Sequence, residues 1–189
     1  MDPLHYAVKL GYEEVVLSLL DRGDAQMGVT SKDLFGWTPL HYAGTEHITC
    51  ILLREGAQLD IQGRGGIAAL HRAAKANRDE IARLYIEAGA NVDILYNSRM
   101  TPLHWAAYRG YEKSVELPVE KGASTAGRDD NGRILLHLAV IAGTLTKRIA
   151  HLLKANNKDP AASDRRGLTA LNFTAMAGKM EPTRLILCG

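Results

Sequence analysis

Residues 101–110 read TPLHWAAYRG, and shortened or altered copies of this stretch recur along the whole chain. A Leu-His pair marks five copies, and Leu-Asn marks a sixth. The marker residues are His5, His41, His71, His104, His137 and Asn172, so the steps between copies are 36, 30, 33, 33 and 35 residues. Self-similarity at a nearly constant step of this length is typical of a solenoid of stacked repeats.

Each copy carries signals for where a helix begins and ends. Thr offers an N-cap oxygen, and Pro has a preset φ at a position whose N–H is not needed. A Gly such as Gly110 ends this first helix, because Gly enters left-handed conformations without steric cost. A second amphipathic segment follows, as at residues 13–21. A polar stretch with turn residues, such as 129–132, leads into the next copy. Each unit is therefore predicted to be helix, turn, helix and hairpin-like loop.

The TPLHWAA stretch at 101–107, a later Leu-Leu-x-x-Gly-Ala pattern and the step near 33 together resemble the ankyrin repeat. The resemblance covers residues 2–189 and implies an all-α ankyrin-repeat solenoid of about six stacked helix-turn-helix units with hairpin-like loops. We expect a single domain, residues 1–189, whose first and last repeats are incomplete. The approximate repeats are 1–23, 33–56, 63–89, 96–122, 129–156 and 164–189.

Two repeats depart from the pattern. The second lacks the end of its first helix, which residues 44–46 replace, so we expect it to be the least regular. The fourth has Pro118 inside its second helix, and an interior Pro predicts a bent outer helix.

The connection at residues 23–36 is longer than the others and brings apolar residues to a loop tip: Met27, Val29, Leu34, Phe35 and Trp37 lie in or beside it. Two interpretations stay open. Leu34 and Trp37 fold back over the neighbouring repeat, or the tip is an exposed anchor for a partner, because exposed aromatic residues are typical binding hot spots.

Composition sets only broad limits. The chain has 189 residues with 23 Lys and Arg against 21 Asp and Glu, which by itself implies no polyanionic partner. No apolar run approaches the roughly 20 residues that cross a bilayer, and the start of the chain shows no secretory signal, so no membrane partner is expected. Cys50 and Cys188 form no disulfide framework, which favours an intracellular location, cytoplasmic or nuclear.

The sequence predicts no cofactor, no metal and no catalytic residues. His41, His47 and Cys50 are only weak metal-ligand candidates, because a site needs three or four convergent ligands. The resemblance implies that the repeated histidines hydrogen-bond between neighbouring loops. No motif of a common catalytic site is present. We therefore do not expect an enzyme, although a catalytic or small-molecule-binding groove stays open as an alternative.

The resemblance implies a non-catalytic protein-protein interaction module, an adaptor or scaffold, because ankyrin partners contact loop tips and first helices on the concave face. The candidate partner-binding residues are Leu34, Phe35, Trp37, Arg64, Lys75, Met100, Tyr108, Arg109, Arg133, Arg165 and Arg166. Arg and aromatic residues are enriched in interface hot spots. They predict a basic, aromatic face for an acidic or extended segment of another protein.

Other interpretations remain beside this one. These residues are ordinary solvated loop residues, or the chain is a segment of a larger multidomain signalling or regulatory protein. Arginines at 128, 133, 165 and 166 raise nucleic-acid binding, but the near-neutral charge and the lack of a groove-reading element argue against it. The oligomeric state is left open.

Overall fold

The computed structural model describes residues 1–21, 28–156, 159 and 161–187, and these residues form twelve α-helices joined by short loops. The helices are α1 Pro3–Leu10, α2 Glu13–Asp21, α3 Pro39–Tyr42, α4 Glu46–Arg54, α5 Ala69–Lys75, α6 Asp79–Glu87, α7 Pro102–Arg109, α8 Glu112–Glu120, α9 Leu135–Ala142, α10 Lys147–Asn156, α11 Ala170–Met176 and α12 Met180–Leu187. Met27 and Cys188 lie outside the described part of the chain, as do positions 23 and 189 at the ends of two predicted repeats.

The helices form two compact units, Met1–Asn97 and Ser98–Gly189. In the first unit, α1 packs on α3 and α3 on α5, while α2 packs on α4 and α4 on α6. The second unit has the same order, with α7, α9 and α11 in one row and α8, α10 and α12 in the other. Each unit is therefore a stack of three helix pairs. That all of residues 1–189 act as a single domain stays a prediction.

The helix boundaries follow the local signals. The Asp2 carboxylate accepts a hydrogen bond from the His5 N–H at 3.1 Å and begins α1. The Thr101 hydroxyl accepts one from the His104 N–H at 3.4 Å and begins α7. Gly110 ends α7 with φ +75°, a left-handed conformation that a Cβ would disfavour. The predicted starts and stops are confirmed at these positions.

Apolar side chains between neighbouring helix pairs form the cores of the units. The fully buried ones include Leu4, Leu40, Ile48 and Leu52 in the first unit and Leu103, Leu135, Ile149 and Leu153 in the second. Burying one such side chain stabilises the fold by about 1.5–3 kcal/mol. Ala106 and Ala107 are also fully buried, and their small size lets α7 lie close to its neighbour α9.

The second repeat has the shortened first helix that its sequence predicts. Helix α3 contains only four residues, Pro39–Tyr42. The guanidinium of Arg78, from the next repeat, donates a hydrogen bond to the Ala43 carbonyl at 2.7 Å. A long side chain thus reaches a backbone carbonyl that a longer helix would have used.

Pro118 does not interrupt its helix. It is buried within α8, which continues to Glu120. Pro118 lies in the last turn of α8, so the hydrogen bond that proline cannot donate is one of the last in this short helix.

Candidate functional site

The loop at residues 33–37 is a closed turn organised by Asp33. The Asp33 N–H donates to the Trp37 carbonyl at 2.9 Å, and the Gly36 N–H donates to the Asp33 carbonyl at 2.8 Å. Asp33 Oδ1 accepts from the N–H groups of Phe35 at 2.8 Å and Trp37 at 3.0 Å. These bonds leave Leu34 and Phe35 at the tip, where their side chains are 97% and 49% exposed.

Trp37 lies behind this tip in a cluster, the Trp37 cluster, that consists of Phe35, Trp37, Tyr42 and Arg72. The Trp37 ring centroid lies 5.8 Å from that of Phe35 and 5.4 Å from that of Tyr42. It also stacks on His41, with centroids 6.2 Å apart and ring planes only 2° from parallel. The indole is therefore held on several sides and does not turn freely.

Gly63, in the next repeat, makes room for the indole. A Cβ built on Gly63 would lie 2.0 Å from Trp37 Cδ1 and 2.7 Å from Nε1, far inside van der Waals contact. The Nε1–H is buried and, among the described residues, has no hydrogen-bond partner. The absence of a side chain at Gly63 is thus a condition of the cluster.

Arg72 contributes the positive charge of the cluster. Its guanidinium carbon lies 4.2 Å from the Trp37 ring centroid and 5.2 Å from that of Tyr42, which is cation–π geometry. Burial lowers the pKa of Arg72 below its ordinary value, but an arginine stays charged at neutral pH. Within the described part of the chain, no carboxylate or carbonyl accepts a hydrogen bond from this half-buried guanidinium.

Both carboxylate oxygens of Asp33, the acid of this loop, accept hydrogen bonds from groups other than Arg72. Asp33 Oδ2 accepts a hydrogen bond from the Tyr42 hydroxyl at 2.7 Å, while Oδ1 serves the two backbone groups. Burial by itself raises the pKa of Asp33, but these hydrogen bonds outweigh it and hold that pKa below the ordinary value. Burial and the neighbouring Asp33 raise the pKa of Tyr42 to about 12. Asp33 is therefore a turn-forming carboxylate and not the partner of Arg72.

His41 supports the cluster as a neutral ring. Its Nδ1 accepts from the Thr38 N–H at 3.1 Å, so the proton is on Nε2, which donates to the Ile67 carbonyl at 3.0 Å. Burial lowers the pKa of His41 to about 4. His137 repeats the geometry with the Ile134 N–H and the Leu168 carbonyl. These histidines join successive loops, as the resemblance implied.

The loop at 129–133, in the second unit, has the same frame with different side chains. Asp129 Oδ1 accepts from the N–H groups of Asn131 at 2.8 Å and Arg133 at 2.9 Å. Asp129 Oδ2 forms an ion pair with the Arg133 guanidinium at 2.6 Å. Burial raises the pKa of Asp129, but the bonds from Arg133 outweigh it and lower that pKa. Here the acid and the base of one loop neutralise each other.

The predicted partner-binding residues of the first unit lie on two neighbouring loops and one helix. Leu34 and Phe35 are exposed at one tip, and the Arg64 N–H from the next tip donates to the Phe35 carbonyl at 2.6 Å. Lys75 is exposed at the end of α5. Trp37 folds back. Each interpretation of the long loop therefore holds for part of it: an exposed tip, with a packed Trp37.

The predicted residues of the second unit are more scattered. Tyr108 and Arg109 are exposed in the last turn of α7. Arg165 and Arg166 are exposed at a loop tip, and the Arg165 N–H donates to the Asn131 carbonyl at 2.9 Å. Met100 and Arg133 are half-buried, and Arg133 is in its ion pair. A role of any of these residues in binding stays a prediction.

The sequence patterns did not point to Asp33, Tyr42, Gly63 or Arg72 as site residues. One signal would have found two of them: Tyr42 and Arg72 each follow a marker histidine directly, so they share one position in the repeat. Residues at the same position of neighbouring repeats lie side by side in a stack, which places Arg72 beside Tyr42. Trp37 lies just before the cap of the Tyr42 helix and adds a second aromatic ring.

Metal and membrane sites have little support in the described residues. No three His, Cys, Asp or Glu side chains among them lie close enough to hold a metal ion. His47 instead lies 3.9 Å from a Glu13 carboxylate oxygen. No helix in that part of the chain is long and apolar enough to cross a membrane.

Comparison with known families agrees with this architecture. A model of ankyrin repeats in three copies matches residues 1–63, 44–129 and 70–158, which is well over half of the chain. The chain belongs to the ankyrin repeat family. The predicted fold class, an all-α solenoid of ankyrin helix-turn-helix units, is confirmed. Ankyrin repeats generally bind other proteins, and their stacked units offer extended binding surfaces.

One solved ankyrin structure shows the fold alone. A crystal structure of an ankyrin repeat domain from Acinetobacter baumannii AYE is similar to this chain with a TM-score of 0.86. The similarity covers 98% of this chain and 96% of that one at 23% sequence identity. No curated protein matches the chain.

Proposed function

We propose that this ankyrin chain is a non-catalytic adaptor or scaffold that binds an acidic or extended segment of another protein. The binding face combines the loop tips and the first helices of the unit Met1–Asn97. The exposed Leu34-Phe35 tip carries the proposal. A large apolar tip on a loop that Asp33 already holds closed suits a partner, because little backbone entropy is lost when it binds.

The charges of the same face support an acidic partner. Lys9 lies 5.9 Å from the Tyr42 ring centroid, and Arg72 lies over the same ring. Lys75 lies one helical turn beyond Arg72 on α5. The one acid of the loop, Asp33, turns inward to the Tyr42 hydroxyl. A carboxylate-rich segment therefore meets mainly positive charge here.

The remaining predicted residues are part of the proposal as a second contact surface. Tyr108, Arg109, Arg165 and Arg166 are exposed on the unit Ser98–Gly189 and combine aromatic and basic character. We also propose that residues 1–189 act as one domain in an intracellular compartment. No observation on the described residues favours a catalytic groove.

Affinity capture from a cell lysate tests the proposal. The baits are the wild type, the double variant Leu34→Ser/Phe35→Ser, and Leu187→Ser, which removes a similarly exposed residue, 64% exposed, from α12. We expect proteins that the wild type and Leu187→Ser both retain and that the double variant loses, with all three baits equally folded by circular dichroism. Equal capture by all three would contradict the proposed face.

A further inference from the structure

The Arg72 guanidinium has no hydrogen-bond acceptor among the described residues. Arginine side chains that are partly removed from water are usually paired with a carboxylate, because desolvating an unpaired charge is costly. Arg72 has aromatic faces instead, with Trp37 at 4.2 Å and Tyr42 at 5.2 Å. In the described residues its donors bond to nothing, and the nearby Asp33 is fully engaged.

We propose that Arg72 is a carboxylate anchor, which binds an Asp or Glu side chain of an extended partner segment. This deepens the proposed function, on which it rests, by naming the residue that reads the acid and the chemistry it reads.

The stacking prepares the guanidinium for this role. The rings of Trp37 and Tyr42, at 4.2 and 5.2 Å from the guanidinium carbon, restrict the side chain. Its N–H donors, which no acceptor among the described residues uses, match a carboxylate in paired hydrogen bonds. Because the side chain is held before binding, less rotamer entropy is lost in the complex. A lysine at this position would lack both the planar stacking and the forked donors.

A carboxylate fits this place better than a phosphate does. A single guanidinium lies against these rings, and its forked donors match one carboxylate. The Asp33 carboxylate, which accepts from the Tyr42 hydroxyl beside the cluster, repels a doubly charged group more strongly than a singly charged one. A phosphate monoester has a charge near −2 at neutral pH and favours sites with several cations.

The cluster also predicts what lies beside the acid. Arg72 contacts Trp37, Trp37 contacts Phe35, and Leu34 is next to Phe35 at the open end of the row. An extended segment advances about 3.3 Å per residue. A partner with its acid on Arg72 therefore places an apolar side chain, two to four residues away, against the Leu34-Phe35 tip.

A random 12-residue peptide library displayed on phage and selected on the whole chain tests the anchor. We expect enriched peptides to share an Asp or Glu two to four residues from a large apolar residue. One enriched peptide is then synthesised with Glu and with Gln at the acidic position. We measure its affinity for the Trp105→Phe protein and for the double variant Trp105→Phe/Arg72→Gln, in both of which Trp37 is the fluorescent reporter.

The expected result is coupling between the two changes. The Glu to Gln change in the peptide should weaken binding to the Trp105→Phe protein by about tenfold, and Arg72→Gln should weaken binding of the Glu peptide similarly. Once Arg72 is Gln, the peptide change should alter affinity by less than about twofold. If the two changes instead weaken binding independently, so that their fold-losses in affinity multiply, the anchor proposal is wrong.

Two further variants separate the anchor from general charge and test the support that Trp37 gives to Arg72. Arg54→Gln removes the same charge from the last turn of α4, where Arg54 is exposed, and should change affinity less than about twofold. Gly63→Ala displaces Trp37 while Arg72 is retained, and should weaken binding as strongly as Arg72→Gln. Equal weakening by Arg54→Gln and Arg72→Gln would contradict the proposal.

The remaining outcomes also discriminate. Enriched peptides without an acid that still need Leu34 and Phe35 would overturn the anchor and leave the proposed function standing. Selection of no peptide at all would count against both. A phosphoserine peptide that binds more tightly than its Glu counterpart would overturn the assignment to a carboxylate.

Discussion

The loops at 33–37 and 129–133 have the same backbone hydrogen bonds but differ in how their side chains use a nearby arginine. In each, an aspartate begins the turn, a glycine occupies the fourth position, and one carboxylate oxygen accepts two backbone N–H groups. The fifth residue differs. Trp37 contacts the guanidinium of Arg72 from the next repeat, whereas Arg133 forms an ion pair with the aspartate of its own loop. The backbone hydrogen bonds thus set the turn. The fifth residue, Trp37 or Arg133, decides whether a nearby arginine is left without an ion pair among the described residues.

The second unit uses its cations internally in other places too. Arg128 donates to the carbonyls of Gly132 and Ser163, at 2.7 and 2.6 Å. Arg148 pairs with Glu116. The number of arginines is therefore a poor guide to a binding surface. What matters is whether the chain has already supplied each guanidinium with an acceptor.

The largest effect that tests the contrast should come from Gly63→Ala. The added Cβ overlaps the Trp37 ring at 2.0 Å, so the indole must leave its place on Arg72. We expect a loss of about 2–3 kcal/mol in the free energy of unfolding, measured by urea denaturation. Gly44→Ala is the control, because its Cβ would meet only Arg78 side-chain atoms, at 3.7 Å or more. Equal losses in the two variants would show that Trp37 does not depend on the space at Gly63.

Amide substitution of the two loop aspartates should separate the loops. In Asp129→Asn an NH₂ group faces the Arg133 guanidinium, and a guanidinium has no acceptor for it. The variant should lose about 2 kcal/mol in the free energy of unfolding. Asp33→Asn should cost about half as much, because the Tyr42 hydroxyl can turn and act as an acceptor. Thermal and urea unfolding of both variants measure the difference. The reverse order would contradict our assignment of the second carboxylate oxygens.

Acid should destabilise the first unit through His41. The pKa of His41 is about 4 in the fold and 6.5 ordinarily, because burial disfavours the charged ring. The unfolded chain therefore takes up the proton first, and stability that is present above pH 6.5 is lost as the pH falls towards 4. At pH 5 this loss is about 2 kcal/mol relative to pH 7, in urea titrations at each pH.

His41→Asn provides the control for this pH dependence. Asn172 already occupies the marker position of the last repeat, where its Oδ1 accepts from the Thr169 N–H at 2.8 Å. The variant should be less stable at pH 7 and should lose most of the step between pH 7 and 5. A smaller step remains from His137, whose pKa burial also lowers. An unchanged step would assign the titration to another group.

The smallest effect concerns the backbone of the turns. Arg99 has φ +57° two residues before its helix cap, where other loops have Gly36, Gly132 and Gly167 at φ +70° to +76°. Arg99→Gly should raise the free energy of unfolding by about 0.5–1 kcal/mol, because a side chain is strained in this region. Gly167→Ala, which meets no atom within 4 Å, should lower it by a similar amount. If Arg99→Gly destabilises the chain, its positive φ carries no strain.

Much of the fold was accessible from local patterns. The helix pairs, the shortened helix Pro39–Tyr42 and the left-handed Gly110 all follow from signals within a few residues of one another. The exposed Leu34-Phe35 tip was one of two open interpretations. The bonding of Arg133 was not predicted, because an ion pair with Asp129 looks in sequence like any two loop charges.

The sequence by itself determined the repeat step, the order of helix, turn, helix and loop, and the family. Those features depend on short-range capping, backbone conformation and apolar periodicity. Only the tertiary structure decided that Arg72 lies against Trp37, 35 residues earlier, in the space that Gly63 leaves open. Such a contact depends on how one repeat stacks on the next, because side-chain packing and desolvation are set by neighbours in space. The candidate anchor is therefore a property of the stack and not of any single repeat.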